Sequence, residues 1–121
     1  MDAMKPRLVL TLIVSAIAGA AVWAFSPHFV GTAEPWDAGL YYYAALFIAG
    51  CASGLISPRP FWAHYVGGIL GQTVYAVAFL PLGPLAGFGL LFMLVYSLPF
   101  VVGAALGLCV RFLPSLLKYA A

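Results

Sequence analysis

Long apolar segments separated by short polar ones dominate the chain. Four such segments, at residues 8–25, 39–57, 61–80 and 85–110, each have about the length that an α-helix needs to cross hydrocarbon. Prolines, glycines and charged residues lie between them, as is typical of turns. The pattern predicts an all-α membrane protein whose single domain contains four transmembrane helices.

The third segment carries several polar residues that recur at helical spacing. One stripe of a helix would hold His64, Gly68, Gly71, Gln72 and Tyr75. Such a stripe is expected to face protein or water, because its glycines admit a neighbouring backbone and its polar groups need hydrogen-bond partners. The polar stripe of His64, Gln72 and Tyr75 is therefore predicted to lie inside the bundle.

Glycines spaced four residues apart predict close helix packing, because they let two backbones approach each other. The pairs are Gly50/Gly54, Gly67/Gly71, Gly83/Gly87 and Gly103/Gly107. Part of the second segment also recurs in the fourth, 53 residues later: Tyr43, Phe47, Gly50, Ala52, Gly54 and Leu55 return as Tyr96, Phe100, Gly103, Ala105, Gly107 and Leu108. This offset predicts two tandem helical hairpins that form a parallel repeat.

Two prolines predict irregularities near the end of the chain. Pro99 lies near the centre of the fourth segment and removes one backbone donor, which predicts a kink. Ser97 is expected to satisfy the carbonyl freed there. Pro114 is expected to interrupt the short tail that follows Arg111.

Composition agrees with the membrane assignment and sets the orientation. Hydrophobic residues make up 65% of the 121 residues and charged residues 7%, against roughly 45–50% and about 25% in soluble domains. In the four-span arrangement all five cations fall on one side, namely Lys5, Arg7, Arg59, Arg111 and Lys118. The positive-inside rule places both termini in the cytoplasm. We expect the membrane to be a bacterial inner (plasma) membrane. The sequence contains no basic cluster of the kind that binds nucleic acid, so we expect no nucleic-acid partner.

His64 allows two interpretations. It could serve as a haem ligand, a proton relay or a pH-sensitive contact. We favour an interfacial histidine beside Trp62 and Tyr65 that anchors the helix among the headgroups. A haem would need a second deep ligand, for which only Met93 is available, nearer the opposite face.

Gln72, the chain's only side-chain amide, falls near mid-membrane. It could contact a substrate or an ion, or it could join helices through bonds to Tyr96, Ser97 or Thr73. We favour the joining role. No Asp, Glu, Lys or Arg falls deep in any span, which weakens the case for coupled transport.

The outer loop offers a different surface. Glu34, Trp36 and Asp37 form a compact patch suited to docking a partner. With His28 these acids could bind a metal, but their spacing matches no ligand pattern, so no metal site is predicted.

The sequence contains no catalytic constellation, so we expect no enzyme. The leading expectation is a non-catalytic accessory or scaffolding subunit that binds other membrane subunits or copies of itself. A small transporter or channel using the polar stripe is the first alternative. A haem- or quinone-binding subunit using His64 is the second.

Overall fold

Helices account for almost all of the described chain. The computed structural model describes residues 4–30, 39–57, 59–79 and 86–120. Its helices are α1 (Met4–Val30), α2 (Gly39–Ile56), α3 (Trp62–Phe79), α4 (Ala86–Tyr96) and α5 (Leu98–Ala120). Because α4 and α5 meet at Ser97, they form one bent helix, and the predicted four-helix fold is confirmed.

Three stretches are long and apolar enough to cross a membrane: Lys5–His28, Gly39–Ile56 and Gly87–Tyr119. Helix α3 has the same 18-residue length as α2 but is not one of them. Its histidine and glutamine lower its mean hydropathy, and both side chains are fully buried. Helix α3 therefore turns these two polar groups toward protein, which is how such a helix can remain within a bilayer.

Both terminal helices extend further than the sequence pattern predicts. Helix α1 passes through Pro27 and reaches Val30 instead of ending at residue 25. Helix α5 passes through Pro114, so the interruption predicted there is wrong. A proline removes one backbone donor. In α5 the affected carbonyl belongs to Val110, whose side chain is exposed, and the helix continues past the loss.

The structure breaks the helix near Pro99, where the sequence predicts a kink. The Ser97 N–H still donates to the Met93 carbonyl at 2.9 Å, which closes the last turn of α4. The Phe100 N–H then donates to the Ser97 carbonyl at 3.1 Å, which opens α5 with a tighter turn. The helix is therefore interrupted at Ser97, two residues before Pro99.

Helices α2 and α5 run parallel and cross where their glycines meet. A Cβ at any of four glycines would overlap the backbone of the opposite helix. The contacts are Gly50 with Phe100, Gly54 with Ala104, Gly103 with Phe47 and Gly107 with Cys51. The contacts are related in pairs by an exchange of residue numbers. When 53 is added to the α2 residue number and subtracted from the α5 residue number, the first contact becomes the third and the second becomes the fourth. The crossing is therefore reciprocal, with the offset seen in the sequence repeat.

Helices α1 and α3 form a second parallel crossing. Its close contacts are Gly19 with Gly68, Gly71 with Ala16 and Gly67 with Ser15. An offset of 52 residues exchanges the first two contacts and maps the third onto itself. Corresponding helices of the two hairpins thus pack against each other. This arrangement is what a parallel duplication would produce.

The remaining predicted pair, Gly83/Gly87, has no such contact in the described chain. Gly83 lies outside the described residues, and a Cβ at Gly87 would meet only open space. Between the two crossings lies a core made of both aromatic and aliphatic side chains: Val22, Trp23, Tyr42, Leu46, Ala76, Met93 and Phe100. This core surrounds the buried amide of α3.

Candidate functional site: a buried polar network

Gln72 is fully buried and bonds to every span of the bundle. Its Oε1 accepts hydrogen bonds from Trp23 Nε1 at 3.0 Å and from the Tyr42 hydroxyl at 2.6 Å. Its Nε2 donates to the Gly68 carbonyl at 3.2 Å and to Ser97 Oγ at 2.9 Å. A primary amide offers two acceptor sites and two N–H donors. All of them are used, so the Gln72 side chain has no hydrogen-bonding capacity left for a ligand.

Of the three side chains that bond to Gln72, the sequence identified one and missed two. Ser97 is a partner as expected, whereas Thr73 instead donates to Met93 Sδ at 3.6 Å. Tyr96 packs edge-on against Tyr42, with ring centroids 6.0 Å apart. Trp23 and Tyr42 were not anticipated, because aromatic residues toward the ends of spans usually mark the membrane interface.

The break between α4 and α5 is supported by a tyrosine of α3. The Tyr65 hydroxyl donates to the Leu94 carbonyl in the last turn of α4. The Ser97 oxygen accepts the bond from Gln72, and the bond from its hydroxyl to a freed carbonyl stays a prediction. The kink therefore presents a side-chain acceptor to the core, and a phenol from a neighbouring helix bonds to the backbone beside the break.

His64 lies inside the bundle. Its side chain is fully buried, and its Nδ1 shares a hydrogen bond of 2.7 Å with Ser53 Oγ on α2. The interpretation of His64 as a headgroup anchor is therefore wrong. Trp62, two residues earlier, is exposed instead. The helical stripe explains the difference, because His64 shares a face with Gly68 and Trp62 does not.

Three hydroxyl side chains join the same end of the bundle. Thr11 Oγ1 donates to the Arg59 carbonyl at 2.6 Å, which leaves its oxygen to accept from the Ser57 hydroxyl at 2.5 Å. Ser15 Oγ donates to the Thr11 carbonyl at 2.6 Å. All three side chains are buried. The two bonds of Thr11 tie α1 to the turn between α2 and α3, whereas the Ser15 bond lies within α1.

Among the polar-stripe residues, Tyr75 differs from the rest. His64, Gly68, Gly71 and Gln72 are all buried, whereas Tyr75 is only partly buried and packs on Phe79, with ring centroids 4.9 Å apart. The buried part of the stripe therefore ends at Gln72. The residues of this buried part contact other helices of the same chain.

The geometry does not favour a haem held by His64 and Met93. Met93 contacts Thr73, which follows His64 by nine residues on α3. At 1.5 Å per residue these positions lie about 13 Å apart along the helix, too far for both to ligate one iron. Among the described residues no three His, Cys, Asp or Glu side chains gather as a metal site. Cys51 and Cys109 are free thiols.

The outer-loop patch of Glu34, Trp36 and Asp37 lies outside the described residues, as do the acids proposed beside His28. His28 itself is exposed near the end of α1. Comparison of the chain with protein-family models, with curated proteins and with solved structures finds no match in any of the three. Function must therefore be argued from the chain's own contacts.

Proposed function

We propose that this protein is a small non-catalytic integral membrane protein, an accessory or scaffolding subunit that binds another membrane protein or further copies of itself. The observation that carries the proposal is the complete hydrogen bonding of Gln72. A transport pathway needs deep polar groups that can exchange partners with a substrate. The only side-chain amide of this chain uses its full hydrogen-bonding capacity within the bundle, and three of its four bonds go to other segments.

A shallow groove between α1 and α2 is the surface best suited to a partner helix. Its volume is about 530 Å³, and alanines dominate its lining: Ala18, Ala21, Ala44, Ala45 and Ala49. Small side chains allow close helix approach in a bilayer, where packing replaces the hydrophobic drive. Most of the GxxxG glycines already pack against other helices of the same chain. We therefore assign the binding of a partner helix to this alanine groove.

The cation distribution supports an inner-membrane protein with both termini in the cytoplasm. Arg7, Arg59 and Arg111 line a common pocket at one end of the bundle. The positive-inside rule predicts that such cations lie on the same, cytoplasmic side of the membrane. A reporter fused after Ala121 should then be active only in the cytoplasm. If the reporter were equally active on both sides of the membrane, that result would contradict this orientation.

The groove can be tested with two alanines of α2. Both Ala44 and Ala52 are exposed, but only Ala44 lines the groove. Ala44→Leu should block a partner helix, whereas Ala52→Leu adds the same side chain elsewhere. In a mild detergent, light scattering should give the wild type and Ala52→Leu a particle containing more than one chain. Ala44→Leu should reduce the particle to a single chain.

The same purified protein separates the competing functions. A monomeric wild type that conducts ions or solutes in liposomes would replace the proposal with the transporter alternative. A visible absorption band from a co-purified group would favour the cofactor alternative through His64. Either result would contradict the scaffolding function.

A further inference from the structure

All three arginines of the chain meet at one pocket. Arg7 belongs to α1, Arg59 to the turn between α2 and α3, and Arg111 to α5, yet all three line a cavity of about 390 Å³. They are spaced 52 residues apart in the sequence, the offset that relates the contacts of α1 and α3. The fold therefore collects the arginines from positions that are distant along the chain.

Two of these guanidinium groups are held in place by the protein. Arg111 Nη1 donates to the carbonyls of Leu55 at 2.5 Å and Ile56 at 3.1 Å, at the end of α2. This leaves its Nε–H and its Nη2 amino group for a ligand. Arg59 lies over the ring of Phe112, with its Cζ 5.5 Å from the centroid. A preorganised guanidinium loses less freedom when it binds an anion.

No acidic side chain balances this charge within the described residues. The three acids of the sequence are Asp2, Glu34 and Asp37, and all of them lie outside the described ranges. The described part of the pocket therefore presents three positive charges without a carboxylate. Such a site attracts an anion, and the planar guanidinium matches the oxygens of a phosphate group.

We propose that this arginine pocket binds the phosphate of an anionic membrane lipid. The apolar side chains of Leu10 and Ile56 line the same cavity, so a headgroup and the start of an acyl chain can be accommodated together. Basic pockets between helices on the cytoplasmic side are suited to anionic headgroups. The site is separate from the alanine groove and does not depend on the scaffolding proposal.

The test is a titration of the purified full-length chain in a neutral detergent, with the unfolding temperature as readout. The probe is dioctanoyl phosphatidylglycerol, compared with dioctanoyl phosphatidylcholine and with sodium phosphate. Ligands that bind the folded state raise its unfolding temperature. We expect the anionic lipid to stabilise the chain at concentrations where the zwitterionic lipid and sodium phosphate do not.

Charge-matched variants locate the effect. Arg7→Gln and Arg59→Gln should each weaken the apparent affinity for the anionic lipid about three- to tenfold, since each loses one charge-assisted contact at a partly solvated site. Lys118→Gln removes the same charge from α5 at a residue outside the pocket and should change the affinity less than about twofold. Arg111 is left intact because it also bonds to the end of α2.

Three results would overturn the proposal. Equal weakening by all three variants would reduce the effect to general charge attraction. Equal stabilisation by phosphatidylcholine would mean that the cavity recognises acyl chains alone. Sodium phosphate acting at the same concentration as the anionic lipid would identify a soluble phosphate site instead.

Discussion

The two parallel helix crossings achieve the same closeness by different means. Between α2 and α5, four glycines on both sides face opposing backbone, and the contact consists of main chain against main chain. Between α1 and α3, glycines again face backbone, but Gly67 also meets the Ser15 side chain, and Trp23 bonds to Gln72 close by. The glycine contacts between α2 and α5 depend on shape, and the only hydrogen bonds described between these two helices come from Arg111, one turn after Gly107. The α1–α3 crossing combines shape with hydrogen bonds at the crossing itself.

This difference predicts which substitutions each crossing can tolerate. In a bilayer, helices associate through dispersion contacts and interhelical hydrogen bonds, since lipid is as apolar as leucine. The α2–α5 crossing should therefore be sensitive to added volume. The α1–α3 crossing should also be sensitive to lost polar groups, because each orphaned donor is left without water to replace its partner.

The largest effect is expected from Gly103→Leu. Its side chain would overlap the Phe47 carbonyl and the Cys51 backbone, and backbone cannot move aside as a flexible side chain can. We expect a loss of about 3 kcal/mol or more in unfolding free energy, measured by denaturant titration in detergent. Gly87→Leu is the matched control, because open space surrounds that glycine. Similar losses of unfolding free energy for Gly103→Leu and Gly87→Leu would show that the loss does not come from the α2–α5 crossing.

Gln72→Leu should have the next largest effect. It keeps the approximate volume but deprives Trp23, Tyr42 and Ser97 of their shared partner. We expect a cost of about 1–3 kcal/mol, because buried polar groups are left unsatisfied. Thr73→Val is the control, since that hydroxyl donates only to the weak acceptor Met93 Sδ. An unaltered unfolding free energy for Gln72→Leu would mean that its hydrogen bonds contribute nothing net.

Ser53→Ala should have the smallest effect. It removes the hydroxyl that shares a hydrogen bond with His64 across α2 and α3. Interhelical hydrogen bonds in membranes contribute about 0.6 kcal/mol on average and up to roughly 1.7, so the unfolding free energy should fall by an amount in that range. If Ser53→Ala lost as much unfolding free energy as Gln72→Leu, the bond between Ser53 and His64 would contribute as much to stability as the bonds of Gln72.

The sequence predicted what depends on spacing within one helix. The stripe on α3 anticipated that Gln72 lies inside the bundle, and the GxxxG spacing anticipated the close contacts of Gly50 and Gly103. Both follow from helical periodicity, which is local. The kink near Pro99 was predictable for the same reason, since a proline removes a donor wherever it stands in a helix.

The missed features depend on contacts between distant segments. Trp23 and Tyr42 lie 49 and 30 residues before Gln72, and nothing in their own segments distinguishes them from interface aromatics. The interpretation of His64 as a headgroup anchor rested on its aromatic neighbours Trp62 and Tyr65, although burial follows the helix face and not sequence proximity. Continuation through Pro114 depends on the environment of the Val110 carbonyl, which local propensity does not report.

Gln72 bonds to α1, to α2 and to Ser97 and so acts as a hydrogen-bond hub between the helices. A double-mutant cycle of Tyr42→Phe and Gln72→Leu, measured as unfolding free energy in detergent, tests this role. Tyr42→Phe removes only the hydroxyl that donates to Gln72 Oε1 at 2.6 Å. We expect a coupling energy of about 0.6–1.7 kcal/mol, so that Tyr42→Phe costs markedly less unfolding free energy once Gln72 is leucine. An equal cost of Tyr42→Phe in both backgrounds would contradict the hub.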